Sequence, residues 1–176
     1  MRRKNIKQTI KEWFFVNPTT KLRVRGIERK LNLPLPSIIR YCRELEKEGF
    51  LTKVITGNVV FYTANRSNEL YLLEKRLYNI KSLYTSGLIK FLRIQLSNPT
   101  IVVFGSYAKG EDIENSDIDL YLETPSKKEI IIKKFENLLK RKIQIFKHRN
   151  LKEIKNKFLT NNIINGITLN GFLEVL

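Results

Sequence analysis

The chain has 176 residues, enough for one medium domain or two small ones; its 42% hydrophobic content can bury a core, and 28% charged residues argue against general disorder. A formal net charge of +16 favours a polyanionic partner, although surplus lysine also serves as a solubilising surface. A single cysteine excludes an internal disulfide framework; no apolar run approaches the ~20 residues of a membrane span and the basic start lacks a signal-like core, so a cytoplasmic, non-membrane protein is expected.

The charge is uneven. Residues 1–66 carry 15 Lys/Arg against 5 Asp/Glu, an excess of +10, whereas residues 99–176 carry 13 against 10. Arg2, Arg3, Lys4 and Lys7 form a basic arm. Residues 6–15 predict an amphipathic helix with Ile6, Ile10, Trp13 and Phe14 turned inward, closed by Pro18; Trp13 and Cys42 are most simply core residues. A short strand at 22–24 and a second helix at 25–31 follow, then a turn at Asn32, Leu33 and Pro34. A third helix starts at Pro36 or Ser37, buries Ile39, Cys42 and Leu45, and stops at the C-cap residue Gly49. Strands at 51–56 and 59–64 flank the turn pair Gly57-Asn58.

Helix, turn, helix, glycine and hairpin in this order resemble a winged helix-turn-helix DNA-binding domain over about residues 5–65. The segment SIIRYCRELEKEGFL is similar to that family's recognition helix and wing entry. Such a helix exposes Ser37, Arg40, Tyr41, Arg43 and Lys47 and fits a major groove, while Lys53 and the tip at Asn58 approach phosphate or the minor groove. Double-stranded DNA is the implied partner. Winged helices also dock proteins, and a basic surface can be simply a solvated face.

Residues 67–97 are helical in character, broken at Thr85-Ser86-Gly87. Leu70, Leu73, Leu77, Ile80 and Tyr84 form one apolar stripe, and Leu88, Phe91, Leu92 and Leu96 a second. The second is expected to pack on a following sheet. The first suits a homodimer interface or packing against its own N-terminal domain.

Residues 101–123 read IVVFGSYAKGEDIENSDIDLYLE: a buried strand, a Gly-Ser step into a short basic helix, and a strand on which acids alternate with apolar residues. Asp117 and Asp119 project from one face, and two carboxylates that close repel each other unless a divalent cation sits between them. Gly105-Ser106, Lys109-Gly110 and Ser116-Asp117-x-Asp119-Leu120 together resemble the core motif of the minimal nucleotidyltransferases of the DNA polymerase β superfamily. The resemblance covers roughly the second half of the chain. It implies that Gly105, Ser106 and Lys109 hold the phosphates of an NTP and that Asp117 and Asp119 hold Mg²⁺. It also implies a third carboxylate on a later strand, where this sequence has Gln144; a carboxamide supplies no charge and accepts no proton at neutral pH. Glu123 lies on the order of 13 Å beyond Asp119 along the strand, too far to share its ion.

A lysine-rich helix at 127–140 is expected to turn Ile131, Phe135, Leu138 and Leu139 inward, followed by a strand at 142–146 and a helix at 151–161. The tail NGITLNGFLEV resembles the short terminal strand of the same family. His148, the only histidine, makes a zinc site a poor fit and is more simply a surface residue. The expected architecture is α+β in two domains: a winged helix-turn-helix at 1–66, a linker helix at 67–85, and a nucleotidyltransferase-like small mixed sheet with packed helices at 86–176. Two functions stay open. One is a DNA-binding transcriptional regulator whose second domain binds Mg²⁺-NTP weakly and is catalytically impaired. The other is an active, antitoxin-like nucleotidyltransferase that moves an NMP to a protein or small-molecule hydroxyl and works with a small helical partner protein.

Overall fold

The structure is a computed structural model that describes residues 5–174. Arg2, Arg3 and Lys4 of the basic arm, and Val175 of the tail, lie outside the described residues. The chain divides into two compact units, 1–75 and 76–176, and the boundary falls inside one helix.

In the first unit, Asn5 caps α1 (Ile6–Val16) by accepting a hydrogen bond from the Gln8 N–H at 3.1 Å. Then come α2 (Val24–Leu31), α3 (Leu35–Lys47), β1 (Leu51–Thr56) and β2 (Val59–Ala64). The expected strand at 22–24 reduces to a single bridge: Leu22 exchanges backbone hydrogen bonds of 3.0 and 2.8 Å with Tyr62, and Val24 already opens α2. The hairpin has the expected register, Leu51 opposite Ala64 and Thr56 opposite Val59. The core gathers Ile10, Phe14, Phe15, Ile27, Ile38, Cys42, Leu45 and Phe50. Trp13 is only half-buried, edge-on to Phe14 at 4.9 Å, and Phe15 takes its expected place inside. On α3 the buried residues are Ile38, Cys42 and Leu45 rather than Ile39. Steps of four and three residues keep those positions within about 60° of one another, whereas Ile39 lies about 100° round the helix from Ile38. Burial of the Cys42 thiol pushes its pKa up to about 12, which leaves it an inert core side chain.

Helix α4 (Glu69–Thr85) contributes to both units. Tyr71 packs in the first unit, its ring 5.0 Å from Phe50 and its hydroxyl donating to the Phe14 carbonyl at 3.0 Å. Asn79 and Leu83 are buried in the second. Leu70, Leu73, Leu77 and Tyr84 remain 50–60% exposed, so that stripe is not covered by its own chain; Ile80 packs on the core of the second unit.

The second unit continues with α5 (Leu88–Gln95), β3 (Thr100–Phe104), α6 (Gly105–Lys109), β4 (Ile118–Glu123), α7 (Lys133–Leu139), β5 (Ile143–His148), a 3-10 turn (Leu151–Glu153), α8 (Lys157–Ile164) and β6 (Ile167–Asn170). The sheet order is β5-β4-β3-β6, with β3 antiparallel to β4 and β6, and β5 parallel to β4. One face carries Ile101, Val103, Leu120, Leu122 and Ile143 against α5 and Phe135 of α7; the other carries Val102, Phe104 and Tyr121 against Leu151 and Ile163. This is the expected mixed sheet, with helices on both faces.

The expected helix at 127–140 begins only at Lys133. Residues 127–132 lack helix, and Ile130 and Ile132 pack on the core while Ile131, 83% exposed, points out. That alternation is the period of extended chain rather than of a helix. Leu138 is exposed as well, leaving Phe135 and Leu139 as the inward residues. The expected helix at 151–161 resolves into the 3-10 turn and α8, which Asn156 restarts by accepting hydrogen bonds from the Phe158 and Leu159 N–H groups.

Gly49 generates a stability prediction. It ends α3 at φ 74°, donating to Glu46 O at 3.0 Å while the Phe50 N–H closes on Leu45 O at 2.8 Å, and a Cβ there would meet Asn68 Nδ2 at 2.9 Å. Gly49→Ala is expected to cost about 1–2 kcal/mol, read as a lower urea midpoint at unchanged m-value.

Candidate functional site

At the end of β3 the chain turns directly into α6. Gly105 has φ 70°, and a Cβ on it would lie 2.5 Å from Asp119 Oδ2. Glycine therefore meets two demands at once, a left-handed backbone and room for a carboxylate. Phe104 pairs with Asp119 across β3 and β4, so the turn and the carboxylate are neighbours by register. The first N–H groups of α6, from Gly105 and Ser106 onward, have no intrahelical acceptor. Lys109 is exposed at the helix end.

Asp119 is half-buried on β4, whereas Asp117 sits exposed one residue before the strand begins and so outside the ladder. Burial pushes the Asp119 pKa above the ordinary aspartate value, and the charge of Asp117 adds to the shift. Asp119 lies opposite Gln144 in the parallel β4–β5 register. The residue beside the carboxylate is thus a neutral amide. Glu123 pairs with His148 in the same register and accepts a hydrogen bond from the Tyr121 hydroxyl at 2.9 Å, which keeps it with its own neighbours. His148 stacks on Tyr121 with centroids 6.2 Å apart and has Nδ1 4.0 Å from Glu153 Oε2, two strand positions beyond Tyr121 and away from the Asp119–Gln144 row. Among the described residues, no three His, Cys, Asp or Glu side chains converge where a metal could bind.

Two clefts take in residues of the motif. One, of about 750 Å³, is lined by the segment from Glu114 to Asp117 and by Lys133, Glu136, Asn137, Lys140, Arg141 and Lys142. The second, of about 390 Å³, is lined by Arg76, Gly105, Ala108, Lys109, Asn162, Asn165 and Ile167. Arg76, Asn162 and Asn165 had no sequence signal. A lone arginine inside a helical stretch looks like surface, and the two asparagines fall beyond the helix expected at 151–161.

In the first unit, Arg40, Arg43, Lys47, Lys53 and Asn58 are exposed, and Ser37 and Tyr41 are half-exposed. The Arg40 guanidinium stacks 4.4 Å over the Tyr41 ring, with Nε 3.7 Å from Glu44. Lys53 Nζ lies 3.2 Å from Glu46. The outer face of α3 has a shallow depression framed by Pro36, Ile39, Arg40, Arg43, Glu44 and Lys47. Ile39, misplaced in the core by the sequence pattern, belongs to this outer face.

Asp117, Asp119 and Gln144 offer oxygens of the kind magnesium takes, and the two carboxylates would be its charged ligands. Residues 86–169 match the family model of the nucleotidyltransferase domain. No curated protein and no solved structure matches the chain. A nucleotidyltransferase-like domain therefore occupies the C-terminal half. Among the described residues no helix is long and apolar enough to cross a membrane.

The raised Asp119 pKa has a definite sign in folding. A carboxyl that binds its proton more tightly when folded than when unfolded opposes folding once ionised, so stability is lost as pH rises from the ordinary aspartate range through the folded value. In the absence of divalent ions, Asp119→Asn is expected to have a higher urea midpoint than wild type at pH 7. The difference should shrink toward pH 4; an unchanged or lower midpoint at pH 7 contradicts it.

Proposed function

We propose that this chain is a cytoplasmic, homodimeric DNA-binding transcriptional regulator whose nucleotidyltransferase-like domain binds Mg²⁺-NTP weakly and transfers the nucleotide slowly or not at all. What carries the reading is Gln144 beside Asp119. At that position a third carboxylate would complete the metal ligation and take the proton from an attacking hydroxyl; an amide does neither. Asp117 and Asp119 would hold one ion, whose positive charge would offset that of the phosphates. Gly105 and Ser106 would donate backbone N–H groups, and Lys109 a charge, to the same phosphates.

The winged helix-turn-helix reading of the first unit is supported by three helices followed by a hairpin and by the +10 excess of residues 1–66. In it, α3 enters a major groove with Ser37, Arg40, Tyr41, Arg43 and Lys47 near bases and backbone, while Lys53 and Asn58 approach neighbouring phosphates. Leu70, Leu73 and Leu77 supply the dimer face, half or more exposed along α4. A two-fold pair of winged helices suits a palindromic site.

DNA binding is checked by fluorescence anisotropy over a salt series. Affinity is expected to fall steeply with salt, and Arg40→Ala with Tyr41→Ala to reduce discrimination between sequences. Undetectable binding at low salt to both genomic and random duplexes would remove the regulator.

The nucleotide reading predicts a dissociation constant of about 0.1–1 mM for Mg²⁺-NTP, or about 4–5.5 kcal/mol, weakened by Asp117→Asn. Incubation with labelled NTPs, Mg²⁺ or Mn²⁺ and candidate small helical partner proteins is expected to yield little labelled acceptor. Rapid transfer abolished by Asp117→Asn would instead make the protein an active transferase despite Gln144.

A further inference from the structure

Helix α8 covers the sheet face opposite α5 through Leu159 and the buried Ile163, in a cluster that also holds Leu151, Ile154 and Phe146. Another set of its residues, Lys157, Thr160, Asn161 and Ile164, recurs at steps of three and four and so shares one face of the helix. Together with Leu151, Lys152 and Ile154, from the 3-10 turn and its end, that face lines a groove of about 290 Å³. Two features distinguish the groove from ordinary surface. The first is apolar: Leu151, Ile154 and Ile164 contribute to the lining, and Phe158, which follows Lys157 and stands one turn before Asn161, is 84% exposed. A phenyl group so exposed adds little to the stability of its own fold, and phenylalanine is a weaker helix former than lysine, glutamate or glutamine. The second is charge. The lining holds Lys152 and Lys157 and no carboxylate, and Lys155 between them is exposed. Glu153, the acid of this stretch, is engaged by its own chain: it accepts from the Arg149 N–H at 3.0 Å and lies 4.0 Å from His148 Nδ1.

We infer that this groove docks an amphipathic helix of a partner protein whose apolar side chains are flanked by Asp or Glu, with Phe158 as the apolar contact and Lys157 as the charged one. The groove is open to solvent, and its volume lies just below the roughly 300–1,000 Å³ usual for small-molecule pockets. The eight residues of α8 span about 12 Å, two turns, which matches apolar anchors spaced i, i+3 or i+4, and i+7 on a docked helix. An aromatic side chain supplies affinity at such a contact, and lysine heads at its rim select an acidic partner over a basic one. The apolar lining favours protein over nucleic acid, whose phosphates would meet the lysines and leave Leu151, Ile154 and Ile164 uncovered. Ile80 and Leu83 of α4 pack on the other face of the sheet, so this is a second surface and not the proposed dimer face. The inference goes beyond the proposed function, because the contact needs neither nucleotide nor DNA.

Fluorescence anisotropy on the full-length protein tests it with two labelled peptides of about 18 residues, long enough to form helix. Both carry leucine at i, i+3, i+4 and i+7 spacing; one has glutamate and alanine elsewhere, the other lysine and alanine. The glutamate peptide is expected to bind with a micromolar constant and the lysine peptide about tenfold more weakly or worse. Phe158→Ser should weaken the glutamate peptide about tenfold. Lys157→Glu should narrow the preference between the two peptides about fivefold. Thermal midpoints should stay near wild type, because both side chains are exposed. Binding of the glutamate peptide that is indifferent to either substitution reflects general attraction to a chain of net charge +16 and overturns the inference, as do equal binding of the two peptides and no binding at all. A labelled single-stranded oligonucleotide, run in parallel, is expected to bind wild type and Phe158→Ser alike. An oligonucleotide affinity that falls with Phe158→Ser makes the groove a nucleic-acid surface and overturns the protein partner.

Discussion

The close approach of Asp119 to Gly105 is the constraint on which the second unit depends. The carboxylate occupies the space a Cβ would need, 2.5 Å from that position, so the end of β3, the start of α6 and the acidic strand fit together only with glycine at the turn. The same register that pairs Phe104 with Asp119 pairs Asp119 with Gln144 on its other side. Three strands thus meet in one row, carrying in sequence a turn with free N–H donors, a half-buried acid and a neutral amide.

A buried polar network holds the loop that delivers Asp117. Asp112, 1% exposed, accepts from Asn79 Nδ2 of α4 at 2.8 Å and pairs with Arg141 at 3.5 Å, just before β5. Asn79 also donates to the Tyr107 carbonyl at 2.9 Å, and burial pushes the Tyr107 phenol well above its ordinary range, with the Asp112 charge adding to it. Ser116 Oγ accepts from the Ile113 N–H at 2.9 Å and tightens the segment just before Asp117. Removing one partner of such a buried pair strands the other without solvent and typically costs about 3–5 kcal/mol. The position of the exposed Asp117 therefore rests on the nearly buried Asp112–Arg141 pair and its Asn79 contact.

The two units divide the chemistry. Most of the positive excess lies in the first, on surfaces where charge acts through long-range attraction and falls with salt. The second carries 17 Lys/Arg against 10 Asp/Glu but distributes them unevenly: acids and bases share the cleft beside Asp117, whereas Arg76 and Lys109 are the charged residues lining the one beside Gly105. Net charge alone describes neither arrangement, because a site responds to the groups within a few ångströms of it rather than to the sum over the chain.

Sequence alone determined the elements whose signals are local. The hairpin register around Gly57-Asn58, the break at Thr85-Ser86-Gly87, the C-cap at Gly49 and the strand-turn-helix at Gly105 were legible because turn chemistry and short periodicity act within a few residues. Gln144 was legible as a departure from a motif. Helix ends were less so: Lys133 as the start of α7 and the interruption before α8 depend on which apolar residues the sheet accepts, and Ile130 and Ile132 fit it better in extended chain than in a helix. The same holds for the choice of Ile38 over Ile39 on α3, since adjacent isoleucines differ only in which way the core lies. Tertiary structure alone decided the cleft beside Gly105. Arg76, Lys109 and Asn162 come from three helices separated by long stretches of chain, and no pattern within a window of sequence can register that the folding of a sheet between them brings their side chains to one cavity.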